Sequence, residues 1–124
     1  MLAQLSIQNL RNLSEASLKL SEGLSVFTGL NGAGKTSVLD AVHILGTGKS
    51  FTTSQLSKAI RDEQPGLQVV GRMKYGGAES VIGIRRLREG GGETRLSGAP
   101  VKALSELARE LPVVLLSADS LSAL

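Results

Sequence analysis

The chain contains no cysteine, no tryptophan and a single histidine, His43. Without thiols there is no disulfide framework and no thiolate metal site. One imidazole excludes zinc sites built on several histidines. Aromatic residues make up 2% of the chain, so its core must rest on Leu, Val, Ile and Ala. No apolar run approaches the roughly 20 residues that a bilayer requires. The N-terminal MLAQLSIQNLRNL alternates like an amphipathic strand rather than a secretory signal. A cytoplasmic protein with no membrane partner is the expectation. The length of 124 residues suits one domain spanning 1–124, and the net charge of +3 tilts only weakly toward anionic partners.

Periodicity predicts the order of elements. Leu5 and Ile7, then Ala16, Leu18 and Leu20, alternate with polar residues, giving two half-buried strands around a turn at Arg11-Asn12. Leu24 to Thr28 is a third, apolar strand. Val38, Ala41, Val42 and Leu45 fall on one face of a helix, which Gly46 and Gly48 should end. Residues 49–66 read as a loop with a short helix near Ser54 to Ile60. Leu67, Val69, Gly71, Met73 and Tyr75 share a strand face, Gly76-Gly77 turns, and Val81 to Leu87 returns. Gly90-Gly91-Gly92 links to Thr94-Arg95-Leu96, with a turn at Ser97 to Pro100. Val101, Leu104, Leu107, Ala108 and Leu111 show helical spacing up to Pro112, and Val113 to Leu116 forms a buried strand. The fold class expected is α/β with an antiparallel meander. The ending LLSADSLSAL stops inside a promising segment, as a piece of a longer chain would.

Among its 15 glycines, Gly29, Gly32 and Gly34 crowd into six residues just before Lys35 and the helix. Glycine inside structure costs backbone entropy, so such a cluster needs a reason. Gly29-Leu30-Asn31-Gly32-Ala33-Gly34-Lys35-Thr36, between strand and helix, is a Walker A loop in its proper context. The glycines let successive N–H groups converge on phosphate oxygens. The helix beginning near Lys35, with Ser37 in its first turn, aims its free N–H groups and dipole at the same anion. Lys35 supplies charge for the β- and γ-phosphates, and the Thr36 hydroxyl suits Mg²⁺. A nucleoside triphosphate, read as ATP, is therefore the expected cofactor. The motif alone does not name a reaction, and a small-molecule kinase or other compact P-loop enzyme remains open. Asp119 follows the apolar run 113–116, but Ser117 holds the place that a Walker B acid would take.

Leu10-Arg11-Asn12-Leu13, the loop 29–36 with Ser37-Val38-Leu39-Asp40-Ala41, and Leu45-Gly46-Thr47-Gly48-Lys49-Ser50-Phe51 together resemble the RecF family of bacterial recombination mediators. That family belongs with the SMC-like ABC ATPases of DNA repair. The resemblance implies a P-loop NTPase fold, lobe I of an ABC-type ATPase head with a β meander beside the P-loop helix. It implies ATP and Mg²⁺, DNA at repair gaps, an ATP-dependent homodimer, and partner mediators of the RecFOR type. Weak DNA-stimulated ATPase activity is implied for a complete protein and not for residues 1–124, because the signature motif and the Walker B pair would follow Leu124. Arg11 and Asn12 would lie beside the base, Asn31 near the terminal phosphate, and Asp119 near Mg²⁺ or its water. Asp40 stands where Glu is more usual, and Thr52 where the family often has Arg.

Two basic groups are candidate DNA contacts. Arg85, Arg86 and Arg88 at a strand end form the first, unless they guard an open strand edge. Lys49, Lys58 and Arg61, expected on the nucleotide side, form the second. His43 and Asp40, at i and i+3 spacing, are expected as a surface pair on the outer face of the helix.

Overall fold

The protein is described by a computed structural model over residues 2–19 and 32–111. The expected strands 24–28 and 113–116, together with Leu20, Gly29, Leu30, Asn31, Pro112 and Asp119, lie outside the described residues. Among the described residues six strands form a single sheet: β1 (Leu2–Leu10), β2 (Leu13–Lys19), β3 (Gly66–Tyr75), β4 (Ala78–Leu87), β5 (Gly92–Leu96) and β6 (Ala99–Pro100). Their order is β2-β1-β3-β4-β5-β6, and every neighbouring pair is antiparallel. Helix α1 (Gly32–Thr47), a 3-10 turn (Leu56–Ala59) and helix α2 (Ser105–Glu110) complete the described elements.

The pleat decides which side chains meet. Ile7 faces Val69, which faces Ile84, and Leu5, Gly71 and Ile82 form the next row across three strands. All but Gly71 are large apolar residues with almost no exposure, and helix α1 covers them with Val38, Ala41, Ile44 and Leu45. Val42, expected in this face, is only half-buried, and Ile44 takes its place. A Cβ added to Gly71 would sit 2.5 Å from Leu45 Cδ1, so the glycine lets the helix settle close to the sheet.

Strict alternation after Leu5 and Ile7 would bury Asn9. Instead Asn9 adopts a left-handed φ of 56°, the phase of the strand shifts, and Leu10 turns into the core. Arg11, at φ 53°, makes the matching correction on the other side.

Two boundaries and the burial of one residue differ from expectation. Gly46 lies inside α1, and Gly48 alone ends it: φ is +74° and its N–H donates to the Ile44 carbonyl at 2.7 Å. Tyr75, expected on the buried face of β3, is 45% exposed, because it falls at the hairpin end beyond the reach of α1. Helix α2 holds six residues rather than the span implied by Val101 to Leu111; Leu104 precedes it at 43% exposure. Of that apolar series Leu107 and Leu111 are buried in the core, which one helical turn suffices to place, and Val101 packs against it half-buried.

Candidate nucleotide site

Helix α1 opens inside the glycine motif, with Gly32, Ala33 and Gly34 ahead of Lys35 and Thr36. The first N–H groups of a helix have no acceptor within it and carry its positive dipole end. No acidic residue stands in this first turn to repel an anion. Lys35 and Thr36 are half-buried there. Among the described residues no three His, Asp or Glu side chains gather into a metal cage. Mg²⁺ on a phosphate needs no such cage, since it takes few protein ligands and keeps several waters; one hydroxyl from Thr36 fits that donor set.

Ser37 is fully buried and its hydroxyl donates to Asn12 Oδ1, 25 positions earlier in the chain. This bond brings the β1–β2 turn, Arg11 and Asn12, against the second turn of α1, next to Lys35 and Thr36 in the chain. The fold thus gathers Arg11, Asn12, Lys35, Thr36 and Ser37 into one neighbourhood.

The turn is also held from its far side. Arg61 Nη1 donates to the Asn12 carbonyl at 2.6 Å. The backbone adds Arg11 N–H to the Ala59 carbonyl and Arg61 N–H to the Asn9 carbonyl, each at 2.8 Å. Arg11, Asn12, Lys58, Ile60, Arg61 and Asp62 line an open concavity of about 630 Å³. Of the second basic group, Lys58 and Arg61 therefore share a wall with the candidate site. Lys49 does not: it follows the opposite end of α1, about 20 Å along the axis from Lys35 at the usual helical rise.

The arginines of β4 do not form one patch. Arg85 and Arg86 are consecutive on a strand and so project to opposite faces. Arg85 lies 3.9 Å from Glu93, which Arg95 also holds at 2.9 Å. The Arg95 hydrogen bond and charge, with Arg85 adding less, hold the Glu93 carboxyl below its ordinary range against an opposing desolvation. Arg86 sits on the core face, donates to the Arg85 and Glu93 carbonyls and to Thr94 Oγ1, and has its pKa lowered by burial. Arg88 donates to the Gln64 and Arg61 carbonyls, each at 2.9 Å. Edge protection is equally misplaced as an explanation, because β4 is paired through Arg85 and Arg86 with both β3 and β5.

Asp40 and His43 are not a surface pair. Asp40 has no exposed area and His43 is 5% exposed. Asp40 accepts from the Phe51 N–H at 3.0 Å, Ser50 Oγ at 2.7 Å and Thr52 Oγ1 at 3.0 Å. His43 Nδ1 lies 2.8 Å from the Lys49 carbonyl oxygen, and its ring meets Phe51 edge-on. The helix face expected to be outer is covered by the returning segment 49–52. Thr52 is one of the groups that Asp40 holds.

A family model described as the RecF/RecN/SMC N terminal domain matches residues 1–123. The chain belongs to that family. The DNA replication and repair protein RecF of Shewanella loihica is 39% identical over 123 residues, 99% of this chain and 34% of that protein. RecF of Shewanella woodyi is 40% identical over the same shares. The chain thus spans about a third of the length of the curated relatives it matches. Among solved structures, the recombination mediator RecF–ATPrS of the RecFOR pathway superposes with a TM-score of 0.71 at 24% identity, over 86% of this chain and 29% of that one. An SMC ATPase from work on ATP-driven dimerization and DNA-stimulated activation gives 0.70 at 20% identity, over 96% and 82%. The fold is that of lobe I of an ABC-type ATPase head.

Proposed function

We propose that this chain is the nucleotide-binding lobe of a RecF-type protein acting in DNA replication and repair. In this reading it binds ATP with Mg²⁺ and closes as an ATP-dependent homodimer on DNA at gap sites, alongside mediators of the RecFOR type. The observation that carries the reading is the helix start at Gly32, inside the 29–36 motif, with the Asn12 turn fastened beside it through Ser37. The relatives named for DNA replication and repair support the process, and the likeness to a solved RecF–ATP structure supports the ligand. Thr36 would hold Mg²⁺, which supplies charge neutralisation at the phosphates; Lys35 and the helix amides bind and orient them. Asp119 is assigned to the metal side and Asn31 to a phosphate contact. Hydrolysis is assigned to the intact protein, weak and DNA-stimulated, and not to residues 1–124.

A compact P-loop kinase would continue after the helix in alternating βα units. Here strands β3 to β6 follow one another by hairpins with no helix between them, which disfavours that alternative.

Titration of the intact protein with a fluorescent ATP analogue tests the proposal. Lys35→Ala should abolish or severely weaken binding, because the phosphates lose a fixed charge partner. Thr36→Ala should weaken binding more with Mg²⁺ than without it. Wild-type affinity in Lys35→Ala would remove the phosphate site.

A further inference from the structure

The sequence offers Arg61 only as one of three scattered basic residues. In the structure it stands in the middle of a chain of hydrogen bonds that begins at helix α1. Ser37 Oγ donates to Asn12 Oδ1, Arg61 Nη1 donates to the Asn12 carbonyl at 2.6 Å, and Arg88 Nη2 donates to the Arg61 carbonyl at 2.9 Å. Arg88 is fixed in turn by its Nε on the Gln64 carbonyl and its N–H on the Pro65 carbonyl. A second observation is independent of these side chains. Asn9 and Arg11 both hold left-handed φ values, 56° and 53°, around buried Leu10, which bridges to buried Ile60. Such conformations in residues other than glycine persist only where the surroundings over-determine them. The surroundings here are the paired backbone bonds of Asn9 and Arg11 to residues 59–61.

We propose that Arg61 is a positioning residue for the nucleotide site: it clamps the Asn12 turn so that the Asn12 side chain stays on Ser37, one turn into α1. The inference rests on the nucleotide-binding reading above. Oδ1 of Asn12 is committed to Ser37, which leaves the Nδ2 protons as the donors the side chain presents to a ligand. The carbonyl of the same residue is pulled by a guanidinium, a charge-assisted bond that is about twice as strong as a neutral one. Arg61 thus acts on bound nucleotide through Asn12 and touches no phosphate itself. The clamp also joins the site to the end of β4, because Arg88 seats the backbone of Arg61.

The experiment is a double-mutant cycle in the intact protein, read as affinity for a fluorescent ATP analogue. Arg61→Ala should weaken binding roughly tenfold, the scale of one charge-assisted hydrogen bond. Arg61→Lys, which keeps a charged donor, should recover most of that loss. In an Asn12→Ala background, Arg61→Ala should cost almost nothing more, since no side chain remains to be positioned. Equal losses in both backgrounds, with no rescue by Lys, would overturn the proposal and leave Arg61 a general support of the fold. Unchanged affinity in Arg61→Ala would also overturn it. Lys35→Ala serves as the control: its loss of binding alongside an unaffected Arg61→Ala rejects the clamp alone, whereas unaffected binding in Lys35→Ala rejects the site.

Discussion

The Phe51 backbone N–H donates to Asp40 Oδ1 at 3.0 Å, so a helix carboxylate holds the first residues of the chain that leaves the helix. Ser50 and Thr52 add their hydroxyls to Oδ2. Asp40→Ala should lower stability by about 2–4 kcal/mol, since it leaves several part-buried donors without their acceptor. Asp40→Asn should cost less, because its amide oxygen still accepts. Urea unfolding of both variants measures this; an Ala variant within experimental error of the wild type would contradict the anchoring role.

Gly91 and Gly92 adjoin in the β4–β5 hairpin yet should respond differently to alanine. At Gly92 φ is +137° and an added Cβ would lie 2.0 Å from the Arg85 carbonyl oxygen, so backbone must move. At Gly91 φ is +83° and nothing lies within 4 Å. Gly92→Ala should cost several kcal/mol, on the order of 3, and Gly91→Ala about 1, the strain of the left-handed region alone. Thermal unfolding midpoints of the pair check the ordering, and a reversed ranking would refute it.

Glu106 should show a measurable pH signature. Its carboxylate accepts the N–H groups of Lys102 and Ala103 at 2.8 and 3.1 Å, and these bonds, Ala103 first, hold its pKa below the ordinary 4.5. Because the folded value is depressed, its contribution to stability is full above the unfolded value and is lost as pH falls through the folded one. NMR titration of the Lys102 and Ala103 amides should give a midpoint below 4.5. A midpoint at or above it would mean that the cap does not form.

Arg85 and Arg86 should separate DNA contact from folding. Arg86 is committed to Arg85, Glu93 and Thr94, so Arg86→Ala should lower stability by about 1–2 kcal/mol. Arg85, 53% exposed at its side chain and loosely paired, should be removable without that loss. If Arg85 meets a phosphate, Arg85→Ala should flatten the log K versus log salt slope on duplex DNA by ~0.9. DNA affinity at several salt concentrations supplies the slope; a wild-type slope removes Arg85 from the DNA surface and points to Lys58.

Local chemistry made much of this protein legible from residues alone. Alternation in 5–7 and 67–73, the Gly76-Gly77 turn, and the helix behind Lys35 each depend on neighbours a few positions away, which is the range over which pattern and propensity act. The glycine motif is read over the same short range, from backbone conformation and one charge. What stayed hidden was every relationship between distant segments. Asp40 and His43 read as surface residues, since helical spacing reveals a polar face but not the segment 49–52 that folds over it. Arg61 and Arg88 read as free charge, since carbonyl acceptors carry no sequence signal at all. Arg85 and Arg86 read as one patch because adjacency in sequence hides the pleat, which sends them to opposite faces. Any residue supplies a backbone carbonyl, so only the packed sheet could decide which arginine found one.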